Sequence, residues 1–215
     1  MIGYEYCKLD SIILPALKEK KTTWIFIHGF LGAKVLHGPA ARTKEMNEFS
    51  EIHLIDIRNH GDSGQSPSLE LEDCAQDVAH YIEEKKLSKV GILGFSYGGL
   101  IGIELCTNPK FNSYILALVL EDIGPFPYHD LAKYPAMLRV FLQIYDLTKI
   151  KMRGTTRREI EIEVEKSTKV EVIQKIYYLN LVEVEYEKEF AWKYNLNALA
   201  NRFFPRFARE YQGQF

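Results

Sequence analysis

Between Thr22 and about Leu120, short apolar runs rich in β-branched and aromatic residues alternate with longer stretches of mixed polarity. That rhythm predicts βα units building a parallel sheet. Trp24 to Ile27, Ile52 to Ile55, Val90 to Leu93 and Ile115 to Leu120 read as its strands, apolar in succession because helices cover both faces of such a sheet. Between the second and third runs, Leu71 to Lys86 reads as a helix. Its residues Cys74, Ala75, Val78, Ala79 and Ile82 recur at three- and four-residue spacing and line one face. Tyr4 to Leu9 is expected to add an edge strand.

After Gly124-Pro125-Phe126-Pro127 the pattern changes. Leu131 to Leu147 reads as helical, with Pro135 near its start, and a charged stretch from Thr155 to Lys175 follows. Together they predict a helical cap inserted over the end of the sheet. Val182 to Tyr186 alternates like a strand, although periodicity alone does not settle that piece. With 215 residues and no linker or repeat, one domain is expected, with a sheet core over residues 1–125 and a cap over 126–205.

Composition narrows the function. A net charge of -2 gives no positive field to hold a polyanion, so nucleic acid is not an expected partner. Cys7, Cys74 and Cys106 are scattered and odd in number, which suggests neither a disulfide framework nor a zinc site. The histidines His37, His53, His60 and His80 show no metal-ligand spacing. No apolar run approaches the ~20 residues of a membrane-spanning helix. Met1 to Cys7 lacks the features of a signal or transit peptide, so the cytoplasm is the expected compartment.

The chemistry centres on Gly94-Phe95-Ser96-Tyr97-Gly98, which follows one predicted strand and opens a small-residue helical stretch. A serine at such a strand-to-helix turn exposes its hydroxyl and aims a helix N-terminus at the charge that develops on attack. Ser96 is the expected nucleophile, and the Tyr97 amide one oxyanion donor. His28-Gly29-Phe30-Leu31-Gly32 ends the first strong strand, and its Phe30 amide is the second expected donor. His28 reads as a brace for that loop and not as the base. Asp56 to Gly64 reads as a hydrogen-bonded turn. Asp122, ending the fourth strand, is the expected acid that orients a histidine, with Glu121 as its rival. Lys18 to Lys21 and the arginines at 202, 206 and 209 read as solvated. Phe141, Ile144, Tyr145, Tyr177, Tyr178 and Leu181 read as cap core.

These residues resemble the α/β-hydrolase superfamily, within it the group of the mitochondrial α/β-hydrolase domain-containing protein eleven and related small bacterial esterases. The resemblance rests on His28 to Lys34, on Arg58-Asn59-His60-Gly61-Asp62-Ser63, on the turn at Ser96, on Glu121 to Pro125, and on Asn180 to Glu183 with Phe190 to Leu196. It implies an α/β-hydrolase fold, with a mostly parallel central sheet, helices on both faces and a helical cap. It also implies hydrolysis of a small carboxylic ester or thioester through an acyl-enzyme, with no metal or organic cofactor and, as a second address, the mitochondrion. Phe95 and Tyr97 replace a histidine and a methionine usual in the group. The group's catalytic histidine lies in a late loop after two further strands, whereas the last histidine here is His129. The chain is therefore expected to lack those two strands and the triad base, with His129 the only stand-in. The alternative is a catalytically inactive, hydrolase-like protein that binds a ligand or partner.

Overall fold

The computed structural model describes residues 6–124, 142, 144–184 and 189–200. The chain divides into two compact units, Met1–Pro125 and Phe126–Phe215. The first holds the predicted sheet. Its strands are β1 (Ser11–Leu14), β2 (Thr22–Ile27), β3 (Ser50–Ile55), β4 (Val90–Phe95) and β5 (Ile115–Glu121), with helices α1 (Leu71–Glu84) and α2 (Tyr97–Thr107). The order across the sheet is β1-β3-β2-β4-β5. All neighbours are parallel except β1, which runs antiparallel to β3.

The β-strand period of two sorts the apolar runs onto two faces. Phe26, Ile52 and Leu54 pack with Ala41 on one face, joined at its margin by Ile12, Leu14, Trp24, Met46 and Leu93. On the other, Gly102 of α2 lies against Ile92 and Leu118, so close that a Cβ there would sit 2.6 Å from a Leu118 methyl. The apolar face of α1 is buried as its spacing requires, Cys74, Ala75, Val78 and Ile82 being nearly inaccessible.

Chain order places the functional end. From β2 the chain crosses to β3 on one side, and from β3 it returns past β2 to β4 on the other. The crossovers therefore part at the C-terminal ends of β2 and β4, the crevice where open parallel sheets place their ligands.

The expected edge strand over Tyr4–Leu9 is corrected by the structure, which puts the strand at Ser11–Leu14. Cys7 and Leu9 are buried, but in a loop. The Cys7 amide donates to Asp77 Oδ1 at 3.1 Å, and the Lys8 and Asp10 carbonyls accept from Gly64 and Asp56. Backbone groups committed to those partners are not available to a sheet ladder.

In the second unit, α3 (Arg157–Ser167) and α4 (Glu171–Leu179) precede a hairpin of β6 (Leu181–Val184) and β7 (Glu189–Trp192). Thr156 and Glu159 form a reciprocal capping box that starts α3. Ile144, Ile160, Val164, Tyr177 and Leu181 are its core, whereas Tyr145 is exposed. Most of the helix expected over Leu131–Leu147, with His129, Phe141 and the late arginines, lies outside the described residues; residues 144–149 are helical.

Candidate active site

Ser96 sits between β4 and α2 with φ 50° and ψ −114°. An L-residue held there stores on the order of 1–3 kcal/mol, so its surroundings must enforce the turn. The Ser96 amide donates to the Glu121 carbonyl at 2.9 Å, and the Ser96 carbonyl accepts from the Gly99 and Leu100 amides. Two glycines make room. A Cβ on Gly94 would lie 2.5 Å from the Gly98 oxygen, and one on Gly98 would lie 2.7 Å from the His28 oxygen and closer still to that of Ile27. Ser96 precedes the first turn of α2, yet its side chain makes no capping bond, so the hydroxyl is not spent on the helix.

The loop after β2 runs directly beside this turn. A Cβ on Gly29 would touch the Phe95 ring at 2.8 Å and the Phe95 carbonyl at 3.3 Å, while the Phe30 ring meets the Tyr97 ring edge-on at 5.8 Å. Gly29 and Phe30 are thus packed against the residues on either side of Ser96. Tyr97 has its own anchor, since its hydroxyl donates to the Leu69 carbonyl at 2.6 Å. This bond ties the turn to the segment entering α1.

The alpha/beta hydrolase fold family matches residues 23–150, more than half of the chain and every element just described from β2 to β5. This chain is an α/β-hydrolase. It is 25% identical over 201 residues to the sn-1-specific diacylglycerol lipase ABHD11 of Danio rerio, covering 91% of this chain and 62% of that protein. It is 28% identical over 127 residues to a probable alcohol acetyltransferase of Wickerhamomyces anomalus, covering 59% of this chain and 37% of that one. Among solved structures, a marine microorganism esterase superposes with a TM-score of 0.80 at 23% identity, over 91% of this chain and 71% of its own. The chain spans under two thirds of the length of these curated relatives.

In this α/β-hydrolase, the loops after β2 and β3 are joined by buried polar groups. His28 and His60, both fully buried, lie 5.2 Å apart between ring centroids. His28 Nε2 accepts from the Ile57 amide at 3.2 Å, which leaves the proton on Nδ1 to be donated to the Gly29 carbonyl at 2.7 Å. His60 Nε2 accepts from the Leu31 amide at 3.2 Å, and its Nδ1 donates to the Arg58 carbonyl at 2.9 Å. Both rings are therefore neutral. Burial lowers both pKa values, that of His60 to about 3, and at His28 it outweighs the pull of the Asp56 carboxylate 3.7 Å away. His28 is indeed a brace.

The turn after β3 is more than a satisfied loop. Lys34 Nζ reaches Asp56, Asp10 and Asp62 at 2.6, 2.8 and 2.8 Å. Burial alone would favour the neutral amine, but hydrogen bonds to these carboxylates prevail and raise its pKa. The three aspartates form a cluster that could hold a metal ion, and an ammonium group already lies within it. Arg58 and Asp77 form a second buried pair, with Nε and Nη2 donating to the two carboxylate oxygens at 2.6 and 2.8 Å. The sequence motifs contain Lys34 and His60 but do not reveal their contacts with the facing loop, because only the adjacency of β2 and β3 brings them to one place.

Asp122 follows β5 with φ 55°, and is exposed. Glu121, its rival, faces His37 Nε2 at 3.4 Å. A groove of roughly 700 Å³ lies elsewhere, in the second unit, lined by Asp146, Lys149, Glu159, Glu163 and Lys166 among others. Its mixed charge does not suit an acyl chain, and it contains none of the expected site residues. No helix among the described residues is long and apolar enough to cross a membrane.

Proposed function

We propose that this α/β-hydrolase acts on small carboxylic esters or thioesters through a Ser96 acyl-enzyme. The conformation of Ser96 supports this most directly: a strained turn, enforced by two glycines, that leaves the hydroxyl free of capping duty. Attack by Oγ on the carbonyl carbon forms a tetrahedral oxyanion, and the Phe30 and Tyr97 amides are its donors, one from the β2 loop and one from the first turn of α2. Collapse expels the alcohol or thiol, and water, or a second alcohol, then discharges the acyl group. The lipase- and acetyltransferase-named relatives both fit an acyl-transfer reading. Asp122 is the proposed acid, just past the C-terminal end of β5 where open parallel sheets gather catalytic groups; Glu121, whose carboxylate faces His37, is its rival.

A serine hydroxyl needs a base. His28 and His60 use both ring nitrogens in the loops, and their lowered pKa values make them poor proton acceptors at neutral pH. We infer that this chain hydrolyses esters feebly, because neither His28 nor His60, the buried imidazoles of the loops beside Ser96, can serve as the base that activates it. The measurement is p-nitrophenyl acetate turnover by the chain and by Ser96→Ala. A slow rate that Ser96→Ala reduces further is expected. Robust Ser96-dependent turnover would place a base within this chain, His37 and His129 being the ones to test, and a rate indifferent to Ser96→Ala would remove the nucleophile assignment and favour the ligand-binding alternative.

A further inference from the structure

The Phe30 amide is flanked by two peptide planes, and each is gripped by a different buried imidazole. The Gly29–Phe30 peptide is trans, so its N–H points opposite to its carbonyl. That carbonyl accepts from His28 Nδ1 at 2.7 Å and from the Gly32 amide at 3.0 Å, both drawing it to one side. The Phe30 N–H is thereby turned away from the His28 ring. The next peptide, Phe30–Leu31, is held at its N–H, which His60 Nε2 accepts at 3.2 Å. Leu31 has φ 57°, a conformation that costs a leucine on the order of 1–2 kcal/mol and that outside contacts must sustain. Fixing both planes fixes the backbone rotation at Phe30, and with it the direction of its amide.

We propose that His28 and His60 are positioning residues that jointly aim the Phe30 amide, one by donating to the carbonyl before it and the other by accepting from the amide after it. The inference rests on Phe30 as an oxyanion donor, but the aiming is a property of the loop and is measurable without turnover. Neutrality is essential to the device, since each ring must donate through Nδ1 and accept through Nε2. The rings reach their second partners on the adjoining loop, the Ile57 amide and the Arg58 carbonyl, so the turn after β3 becomes the template for the loop after β2.

The two roles predict opposite rescues. An asparagine amide nitrogen stands near the Nδ1 position and a glutamine oxygen near the Nε2 position. At 28, Asn keeps the donor to Gly29 and Gln loses it. At 60, Gln keeps the acceptor for Leu31 and Asn loses it. The test is amide N–H residual dipolar coupling of Phe30 and Leu31 in the full chain and in His28→Asn, His28→Gln, His60→Gln and His60→Asn. We expect His28→Asn and His60→Gln to keep the wild-type Phe30 vector, and His28→Gln and His60→Asn to change it. Should one pair fail to fold, the other still decides. On the same proteins, the misaimed variants should lose about tenfold or more in any Ser96-dependent kcat with KM little changed, given the 10²–10³ cost of deleting an oxyanion donor outright. A Phe30 vector unchanged in His28→Gln or His60→Asn overturns the proposal, as does equal disturbance by both substitutions at a position, which marks simple loop packing. If the vectors follow the crossed pattern while Ser96-dependent kcat does not, the aiming stands and the oxyanion reading of Phe30 falls.

Discussion

At Gly98 a single hydrogen in place of a methyl lets the first turn of α2 lie against the carbonyl end of β2. Gly98→Ala would drive a Cβ into the Ile27 and His28 oxygens, which are backbone atoms with little freedom to retreat. The expected cost is about 3 kcal/mol, the upper range for overpacking, read as a lowered urea midpoint at constant slope. Gly154 is the control. It has φ +64° but nothing within 4 Å of the place a Cβ would take, so Gly154→Ala should cost only the backbone strain, about 1 kcal/mol. Equal losses at the two positions would show that close approach is not what Gly98 provides. Much of this was readable in the chain, because glycines two positions either side of a serine, between a strand and a helix, mark a turn too tight for side chains beside it. The Lys34 cluster was not, since a lysine in a loop gives no local sign that three carboxylates from other segments will surround it.

At the level of elements, β5 is where the sheet is least protected. Among the described residues no strand pairs with its outer edge, and it carries six apolar residues before Glu121. Leu116, which the register shift against β4 leaves without a partner there, is 58% exposed, and Val119, opposite the partly buried Leu93, is 44% exposed. Such an edge is a template for pairing between chains, and natural edges are commonly blunted by a lysine. Val119→Lys should therefore raise the concentration at which the chain associates, followed by light scattering, with little effect on the unfolding midpoint. No change in association would mean that this edge is not the route. The strand itself was legible because its apolar run is long. β1 was not, because its four residues before Pro15, three half-buried and Ile13 exposed, carry no period, whereas Cys7 and Leu9 mimic one while being buried in a loop. Burial and strand pairing coincide in the centre of a sheet and part company at its margin.

At the scale of the whole molecule, three buried histidines among the described residues couple folding to pH. His28, His53 and His60 all have pKa values lowered by burial, His53 despite a carboxylate partner in Glu51 and His60 with the adjacent His28 adding to the effect. His28 faces Asp56, Lys34 and His37 as well, and His53 faces Glu51, Lys20 and Lys85. Released from the fold, each ring regains an ordinary pKa near 6.5. Below that pH the unfolded chain binds protons that the native one refuses, so unfolding takes up protons and stability falls with acidification. For His60 the fall continues until the native ring itself titrates near pH 3. For His60, with its native pKa near 3, the slope approaches 1.4 kcal/mol per pH unit, so between pH 7 and pH 5 the loss is on the order of 2 kcal/mol; His28 and His53 add losses of the same sign. His60→Gln separates this from general acid sensitivity. The variant loses a buried donor and is less stable than wild type at pH 7, but it has no proton to refuse, so the gap should narrow by about 2 kcal/mol at pH 5. Urea denaturation at the two pH values reads both quantities, and a gap that stays constant would mean that His60 is not held neutral by the fold, removing the donor and acceptor pattern on which the aiming of Phe30 depends.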